Sequence, residues 1–599
     1  MDFHAIALFS MYYRNKPEGP YETEDRRWQP EVSSKEISKL LDFIDQFQSE
    51  AELSLSLKTG YSEMRILTEL MRNHISGKLS TSSSLVWASG MSYGTAKRAL
   101  ANIEKRGLII RRPKTPTGKS FSLHPSLKLI QEWQEFTRRA RTLVGGIAEP
   151  VDGLKKHHNE YYFGSSYIGS NTLPPLSVYN SKLPIRGELR LLVHADPTFM
   201  AMHALRKQLE TVFGVRIWSR ALSIDRLREE ILNNANARVS RYDIIACDLP
   251  WFGEMAEAGR FLPVDSFVTA SDLDLSDFHA VALASTRYKG RQYGIPVQTT
   301  PELLVCRRDL LEEKGLKPPS TISETIATAK ALHDPYRGVA GIAWNAARGT
   351  PLGHSFLFII AALGQPVLDL RKTMGGFDCE NVDGSCFRPK FDSPEAREAA
   401  EYLLELLNVS PNEILSMSWY ERARCFADGK SAMAYSATLL APLFELNKES
   451  KAYNNIEYMP HPVGTNGYPI APVGGYALAI PSNIDSQRIN AAWDALVTLT
   501  SAQAIKLYIE NGSLVSPRFS VSSDPEVQQI SPLITIVDKM AREGVLQVWP
   551  RPPVPEIVSI IDIAGEELHD MLLGQKTVST ALRNAQNRSD ALMRENGHY

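Results

Sequence analysis

Eight bases crowd residues 91–120: Lys97, Arg98, Lys105, Arg106, Arg111, Arg112, Lys114 and Lys119, against a single acid, Glu104. A patch of that density in one small unit is an electrostatic footprint for phosphates. A second set of residues, much further along, suits different chemistry. Asp248 and Trp251 follow the apolar run Tyr242-Asp243-Ile244-Ile245-Ala246-Cys247. Asp196, Gln298, Asn345 and Arg551 supply further donors and acceptors, and Trp344, Trp419 and Tyr476 supply ring faces at strand or loop ends. Rings that stack on C–H faces, beside paired donors and acceptors for hydroxyls, suit a sugar-like solute. Asp248 with Trp251 is the preferred pair, because both sit at the carboxyl end of a strand, where open α/β sheets bind ligands. Each of these residues also has an ordinary structural role open to it; Asp196, for instance, precedes Pro197 and can cap the next helix.

No catalytic constellation accompanies either set. Gly-x-Ser-x-Gly, His-Glu-x-x-His and a glycine-rich dinucleotide loop are missing from the sequence. Thr117-Gly118-Lys119-Ser120 imitates the end of a phosphate-binding loop, but position 113, where that loop needs glycine, is Pro113. Cys379 and Cys386 lack a second pair of ligands to complete a metal site. The expectation is therefore no catalytic residue, no metal and no cofactor.

The 599 residues are 43% apolar and 22% charged, ordinary values for globular domains. The total of 66 bases against 68 acids hides an uneven spread. Residues 31–145 hold 18 Lys and Arg against 11 Asp and Glu, so this stretch carries +7 and the remainder −9 of the net −2. Texture changes along the same lines. Residues 1–30 read as an irregular arm, 31–145 as helical, 146–186 as a Ser/Gly/Asn/Pro linker, and 187–599 as alternating strands and amphipathic helices. The acidic, aromatic start at Met1-Asp2-Phe3 does not resemble an export signal, and no apolar run is long enough for a bilayer. Five loosely spaced cysteines fit reduced thiols. Together these lead to the expectation of a cytoplasmic protein without a membrane partner.

Within 31–145, Met64, Ile66, Leu67, Leu70 and Met71 mark one helix. Thr81 to Ser84 offer caps for a short second helix, and Ser92 can cap a third from Tyr93 to about Arg106. Ala96, Ala99, Leu100 and Ile103 predict its buried face, leaving Tyr93, Thr95, Lys97 and Arg98 outward. Leu108-Ile109-Ile110 and Phe121-Ser122-Leu123 are short strands around a basic tip. Ser92 to Ile109, with its Ala-Lys-Arg-Ala-Leu and Lys-Arg-Gly-Leu-Ile steps, resembles the recognition helix and first wing strand of winged helix-turn-helix repressors, most closely the MarR-type group. That resemblance implies double-stranded DNA as a partner, with Ser92, Tyr93, Thr95, Lys97 and Arg98 at the major groove and Arg111, Arg112, Lys114 and Lys119 on the wing. It also implies a homodimer through terminal helices. Two apolar stripes, Ile37, Leu40, Leu41, Ile44 and Phe47 with Leu127, Ile130, Trp133, Phe136 and Leu143, could serve, or could pack on their own domain.

From Gly187 the order of motifs resembles family 1 extracellular solute-binding proteins, the sugar receptors of ABC importers. The motifs are Tyr242-Asp243-Ile244-Ile245, Leu262-Pro263-Val264-Asp265, Tyr293-Gly294-Ile295-Pro296, Phe426-Ala427-Asp428-Gly429-Lys430, Gly474-Gly475-Tyr476-Ala477 and Arg551-Pro552-Pro553. The resemblance implies two α/β lobes with a ligand cleft between them. The expected fold class is thus a multidomain chain: an all-α, winged-helix N-terminal domain, then a two-lobed α/β domain of the type II periplasmic-binding-protein kind. The expected function is a cytoplasmic ligand-responsive transcriptional regulator with a carbohydrate as its small-molecule ligand. The alternative is a transporter-type solute-binding protein with an N-terminal protein-interaction module.

Overall fold

The computed structural model describes residues 34–55, 57, 61–75, 79–113, 121–126, parts of 128–140, and 182–599 without 272, 465 and 466. Lys114, Lys119, Leu127, Leu143 and the expected arm and linker lie outside the described residues, as do the side chains of Ile37, Leu40 and Arg112.

The N-terminal unit opens with helix Ser34–Ser54, followed by helices Tyr61–Ile75, Ser82–Ala88 and Tyr93–Lys105. Strands Ile109–Pro113 and Phe121–Pro125 then form an antiparallel hairpin. Helix Ser82–Ala88 starts directly after its cap residue, Thr81. Thr81 accepts the Ser84 amide while Ser84 Oγ accepts the Thr81 amide, a reciprocal cap. Ser92 occupies the cap position of the third helix, yet its hydroxyl bonds Thr95 Oγ1 at 2.9 Å rather than a backbone amide. Ala96, Ala99, Leu100 and Ile103 are buried against Ile66, Leu67, Leu70, Leu85 and Leu123. Of the two apolar stripes, Phe47 packs on Phe136 with ring centroids 5.3 Å apart.

The remainder is two-lobed. The first-lobe sheet has the order Arg216–Leu222, Glu188–His194, Ile244–Asp248, Tyr476–Ala479, Ile295–Pro296. Its first three strands run parallel, so the chain must cross over between them, here through helices Pro197–Ala204, Arg206–Phe213 and Ile224–Ala235. The second-lobe sheet runs Ala340–Ala343, Ser431–Ala437, Thr300–Arg307, Ala471–Gly474, Leu546–Gln547, with Ile456–Met459 paired to Thr300–Arg307. Strand Thr300–Arg307 is buried throughout, and its centre, Leu303-Leu304-Val305-Cys306, is apolar without alternation. The chain passes between the sheets three times: from Pro296 to Thr300, from Gly474 to Tyr476, and again between Ala479 and Leu546, where it rejoins the second-lobe sheet. Gly475 sits at φ +113°, where a side chain would be strained, and an added Cβ would lie 3.1 Å from both Gln298 Cβ and Thr300 Oγ1.

One buried acid ties the first lobe together. Asp243 accepts both the Arg190 guanidinium at 2.7 Å and the Arg488 guanidinium at 2.6 Å. Arg488 also donates to the backbone carbonyls of Arg186 and Glu188. Burial alone would raise the Asp243 pKa, but the two guanidinium groups outweigh it and hold the carboxyl below its ordinary value. Asp243→Ala should cost roughly 3–5 kcal/mol, because it leaves two cations facing an apolar sheet edge. With the folded-state pKa depressed, the carboxylate's contribution is complete above its unfolded value and is lost as pH falls through the folded one. Urea unfolding of wild type and variant should therefore show a gap at pH 7 that narrows in acid.

Candidate functional site

A cleft of about 720 Å³ opens between the lobes. Asp248 reaches it because it ends strand Ile244–Asp248 and stands opposite Tyr476 in register. Arg551 approaches from the other lobe, where its Nη2 donates to the Val473 carbonyl at 2.6 Å and its guanidinium lies 5.0 Å from the centre of the Phe358 ring. Trp419 opens helix Trp419–Ala427, whose start is fixed by the Ser418–Glu421 capping box. Partly buried, it takes the edge of His354 at 5.6 Å and still faces the cavity beside Tyr420.

Asp248, Trp419, Tyr476 and Arg551 are thus the four sequence-predicted ligand residues that the structure brings to one cavity. Tyr476 lines it with a covered ring: His194 stacks on that face at 4.7 Å. The other five lie elsewhere. The 3-10 turn Leu249–Trp251 carries Trp251 into the first-lobe core, so it does not accompany Asp248 into the cleft. Trp344 is fully buried and donates its indole N–H to Ser410 Oγ at 2.8 Å. Asn345 is buried beside it, off the cavity lining. Asp196 caps helix Pro197–Ala204, accepting the Thr198 and Phe199 amides. Gln298 supports that cap, donating to Asp196 Oδ1 at 2.9 Å. These five residues lie off the cavity lining: Trp251 and Trp344 in the core, Asp196 and Gln298 at a helix cap, and Asn345 buried with both side-chain polar atoms unpartnered among the described residues.

The cleft also contains residues the sequence reading passed over, chiefly His194, Thr300, Glu302, His354 and Phe358. Glu302 was legible as a lone acid in the apolar strand Pro301-Glu302-Leu303-Leu304-Val305-Cys306. It accepts the buried Arg422 guanidinium at 2.5 Å, and His461 Nε2 lies 3.5 Å away. Burial pushes against its ionisation, but Arg422 and His461 overcome this and hold its pKa at about 2. His354 donates from Nδ1 to the Thr350 carbonyl at 2.7 Å, leaving Nε2 as an acceptor in the neutral ring. Burial first, then the Arg551 charge, lowers its pKa to about 3.

Asp248 and Arg551 are less completely matched. Burial drives the Asp248 pKa up to about 6, although Arg551 and the Leu249 amide both oppose the rise. Arg551 Nε and Thr300 Oγ1 are buried with no hydrogen-bond partner among the described residues, so each can serve a solute. One cavity therefore offers an indole face, a carboxylate, a guanidinium and a hydroxyl, drawn from both lobes. Among the described residues no group of three His, Cys, Asp or Glu gathers as metal ligands, and no helix is long and apolar enough to cross a membrane.

On the N-terminal unit, helix Tyr93–Lys105 leaves Ser92, Tyr93, Thr95, Lys97 and Arg98 exposed. Lys97 lies over the Tyr93 ring at 5.6 Å, and Arg98 Nε donates to the Gly94 carbonyl at 3.3 Å. Two bases of the patch are engaged by acids: Arg111 bonds Glu104 at 2.8 Å, and Arg106 turns inward to the buried Glu63 at 3.0 Å.

Two mixed sheets with a polar cleft between them make a two-lobed α/β fold. The comparisons agree: residues 227–506 match the bacterial extracellular solute-binding protein family. The maltotriose-binding protein of Pyrococcus abyssi is 25% identical over 227 residues, which are 36% of this chain and 43% of that protein, so the match spans less than half of that relative. An ABC transporter solute-binding protein from Agrobacterium radiobacter K84, solved with ribitol, superposes with a TM-score of 0.62 at 24% identity, covering 69% of this chain and all of that one. Another from Agrobacterium vitis S4, with D-mannitol bound, gives 0.59 at 22% identity over 69% of this chain and 99% of that one. At such identities the superpositions establish the fold.

The Asp248 environment makes a pH prediction. Its folded-state pKa of about 6 lies above the ordinary 3.8, so the folded protein retains a proton that the unfolded chain releases. Stability should fall as pH rises between those values, by on the order of 3 kcal/mol. Asp248→Asn removes that loss. Thermal melts should show the variant gaining on wild type from pH 4 to pH 7, and a constant gap would contradict the assignment.

Proposed function

We propose that the two-lobed unit binds a small polyhydroxylated solute, a sugar or sugar alcohol, in the cleft. The observation that carries this reading is the convergence of Asp248 from the first-lobe sheet and Arg551 from the second lobe on the cavity that Trp419 faces. A hydroxyl can donate to the carboxylate while a neighbour accepts from the guanidinium, and the indole covers a C–H face. Because these groups come from both lobes, the solute contacts more protein when the lobes close, and differential affinity favours the closed state. The maltotriose-binding relative and the ribitol- and mannitol-bound structures support the same solute class.

A second reading adds DNA. On it, residues 31–145 are a winged helix-turn-helix domain of MarR-like type, joined through 146–186 to a sensor at 187–599, and the chain is a cytoplasmic, dimeric transcriptional regulator. The specific support is the third helix, which buries Ala96, Ala99, Leu100 and Ile103 while Tyr93 stands 65% exposed beside Lys97 and Arg98. That is the two-faced form a helix needs to enter a major groove. Leu41 and Ile44 are exposed on helix Ser34–Ser54, an apolar face available to a second copy. Neither reading requires a cofactor or a catalytic residue.

Thermal-shift screening of mono-, di- and trisaccharides with sugar alcohols checks the first reading. A solute at 100 times its dissociation constant should add about 2.7 kcal/mol to the unit that holds it. Trp419→Ala should weaken binding about tenfold, the loss of one ring stack. A melt unmoved by every polyol sinks the proposal. For the second reading, gel shifts at several salt concentrations should show specific, salt-sensitive binding to DNA upstream of the gene. Lys97→Ala and Arg98→Ala should each weaken it and reduce the salt slope by about 1 for each phosphate no longer neutralised. Failure to bind that DNA leaves the transporter-type alternative, with the N-terminal unit as a protein-interaction module.

A further inference from the structure

The cleft wall and the N-terminal unit are joined by a short stretch of chain. His194, in the wall, stacks on Tyr476 and places Nδ1 3.1 Å from Asp196 Oδ2. Asp196 starts helix Pro197–Ala204, and Leu205 both ends that helix and begins the next, Arg206–Phe213. On this second helix Gln208 is only 5% exposed, although a glutamine there would ordinarily face water. Its amide Nε2 donates to the backbone carbonyl of His74 at 3.4 Å. His74 lies in the last turn of helix Tyr61–Ile75 and is itself 6% exposed. Its ring meets that of His124 edge-on at 6.3 Å, and His124 Nε2 lies 2.8 Å from Ser122 Oγ, on the second strand of the hairpin. The point of contact therefore touches both the helical core of the N-terminal unit and its hairpin.

We propose that the N-terminal unit docks on helix Arg206–Phe213 of the first lobe through the last turn of helix Tyr61–Ile75, and that the two helices after Asp196 transmit changes at the cleft wall to this dock. The carbonyl of His74 belongs to a helix end, where the last carbonyls have no intrahelical donor, so a side-chain amide from outside is a natural partner. The bond is long, 3.4 Å, and runs between neutral groups. Inter-domain contacts of that kind open and close unless a large apolar surface holds them. A latch of this strength can be shifted by a modest change at its base, which a tightly packed interface could not. Asp196 supplies the stiffness in between, since its carboxylate holds the helix start, His194 and Gln298 at once. The docking stands without the solute reading; the regulatory use of it rests on that reading.

Hydrogen–deuterium exchange on the full chain tests both parts without a ligand. Gln208→Glu puts a carboxylate against the His74 carbonyl, and peptides covering 66–75 should exchange about fivefold faster, the loss of one hydrogen bond. The strand at 244–248 should be unchanged. Gln208→Asn, which keeps the amide but withdraws it, should give a smaller increase and guards against misfolding of the first variant. His194→Ala removes the ring from the cleft wall while leaving the Asp196 cap its backbone donors; it should alter exchange at 66–75 at least twofold, again with 244–248 unchanged. Identical exchange at 66–75 in both Gln208 variants would overturn the docking. A Gln208 effect without a His194 effect would overturn the transmission alone. A solute screen that fails while these exchange changes appear would remove the solute reading and leave the dock in place.

Discussion

The chain crosses between its sheets at Pro296–Thr300 and at Gly474–Tyr476, and the two crossings lie against each other so closely that residue 475 can carry no side chain. The amides of Val297 and Gln298 both donate to the Tyr476 carbonyl, which ties the crossings together at the hinge. From this tie the rest of the cleft follows. Tyr476 is fixed opposite Asp248, Thr300 is brought beside Gly475, and Val473, one residue before the glycine pair, anchors Arg551. Backbone bonds and a glycine thus fix the spacing of the polar groups nearest the crossings.

The cleft treats its buried charges in two ways. Glu302 is matched by Arg422 and His461 and stays ionised, a fixed dipole in the floor of the second lobe. Asp248 and Arg551 face one another across the hinge without forming a hydrogen-bonded pair, and burial weakens the charged form of each. A buried charge that lacks its own partner is costly, and the cost is relieved when a ligand supplies the missing hydrogen bonds. The matched pair contributes shape and field, whereas the charges of Asp248 and Arg551 remain less completely compensated.

Much of this was legible in the chain, and the failures have a common physical cause. The strand ending at Asp248, the Gly474-Gly475-Tyr476 step and Arg551 before two prolines are set by local patterns, and the structure puts them at the cleft. The third N-terminal helix buries the four residues its periodicity selects. Trp251, Trp344 and Asn345 lie off the cavity lining because strand ends supply both cleft and core, and sequence does not say which way the next residue turns. Trp251 is turned inward by a 3-10 step only three residues long. Asp196 and Gln298 lie off it for another reason: both are polar and close to the cleft, but they spend their groups on each other and on a helix start. Glu302 and His354 escaped notice because each sits in an apolar segment, where a periodicity search sees only the core. An acid or a histidine embedded in such a run is the better signal, since burial of either demands a partner.

The same economy bears on how two units of opposite net charge could act as one protein. The N-terminal unit carries its excess positive charge on a surface that includes Lys97, Arg98 and Lys105, while Arg106 and Arg111 are already held by Glu63 and Glu104. The contact with the first lobe, by contrast, includes a hydrogen bond from a neutral amide to a backbone carbonyl. A dock built from charges would compete with any anionic partner for the same side chains and would weaken with salt. A dock built from neutral groups leaves the basic face free. The contact with the first lobe then leaves the charged side chains of the N-terminal unit uncommitted.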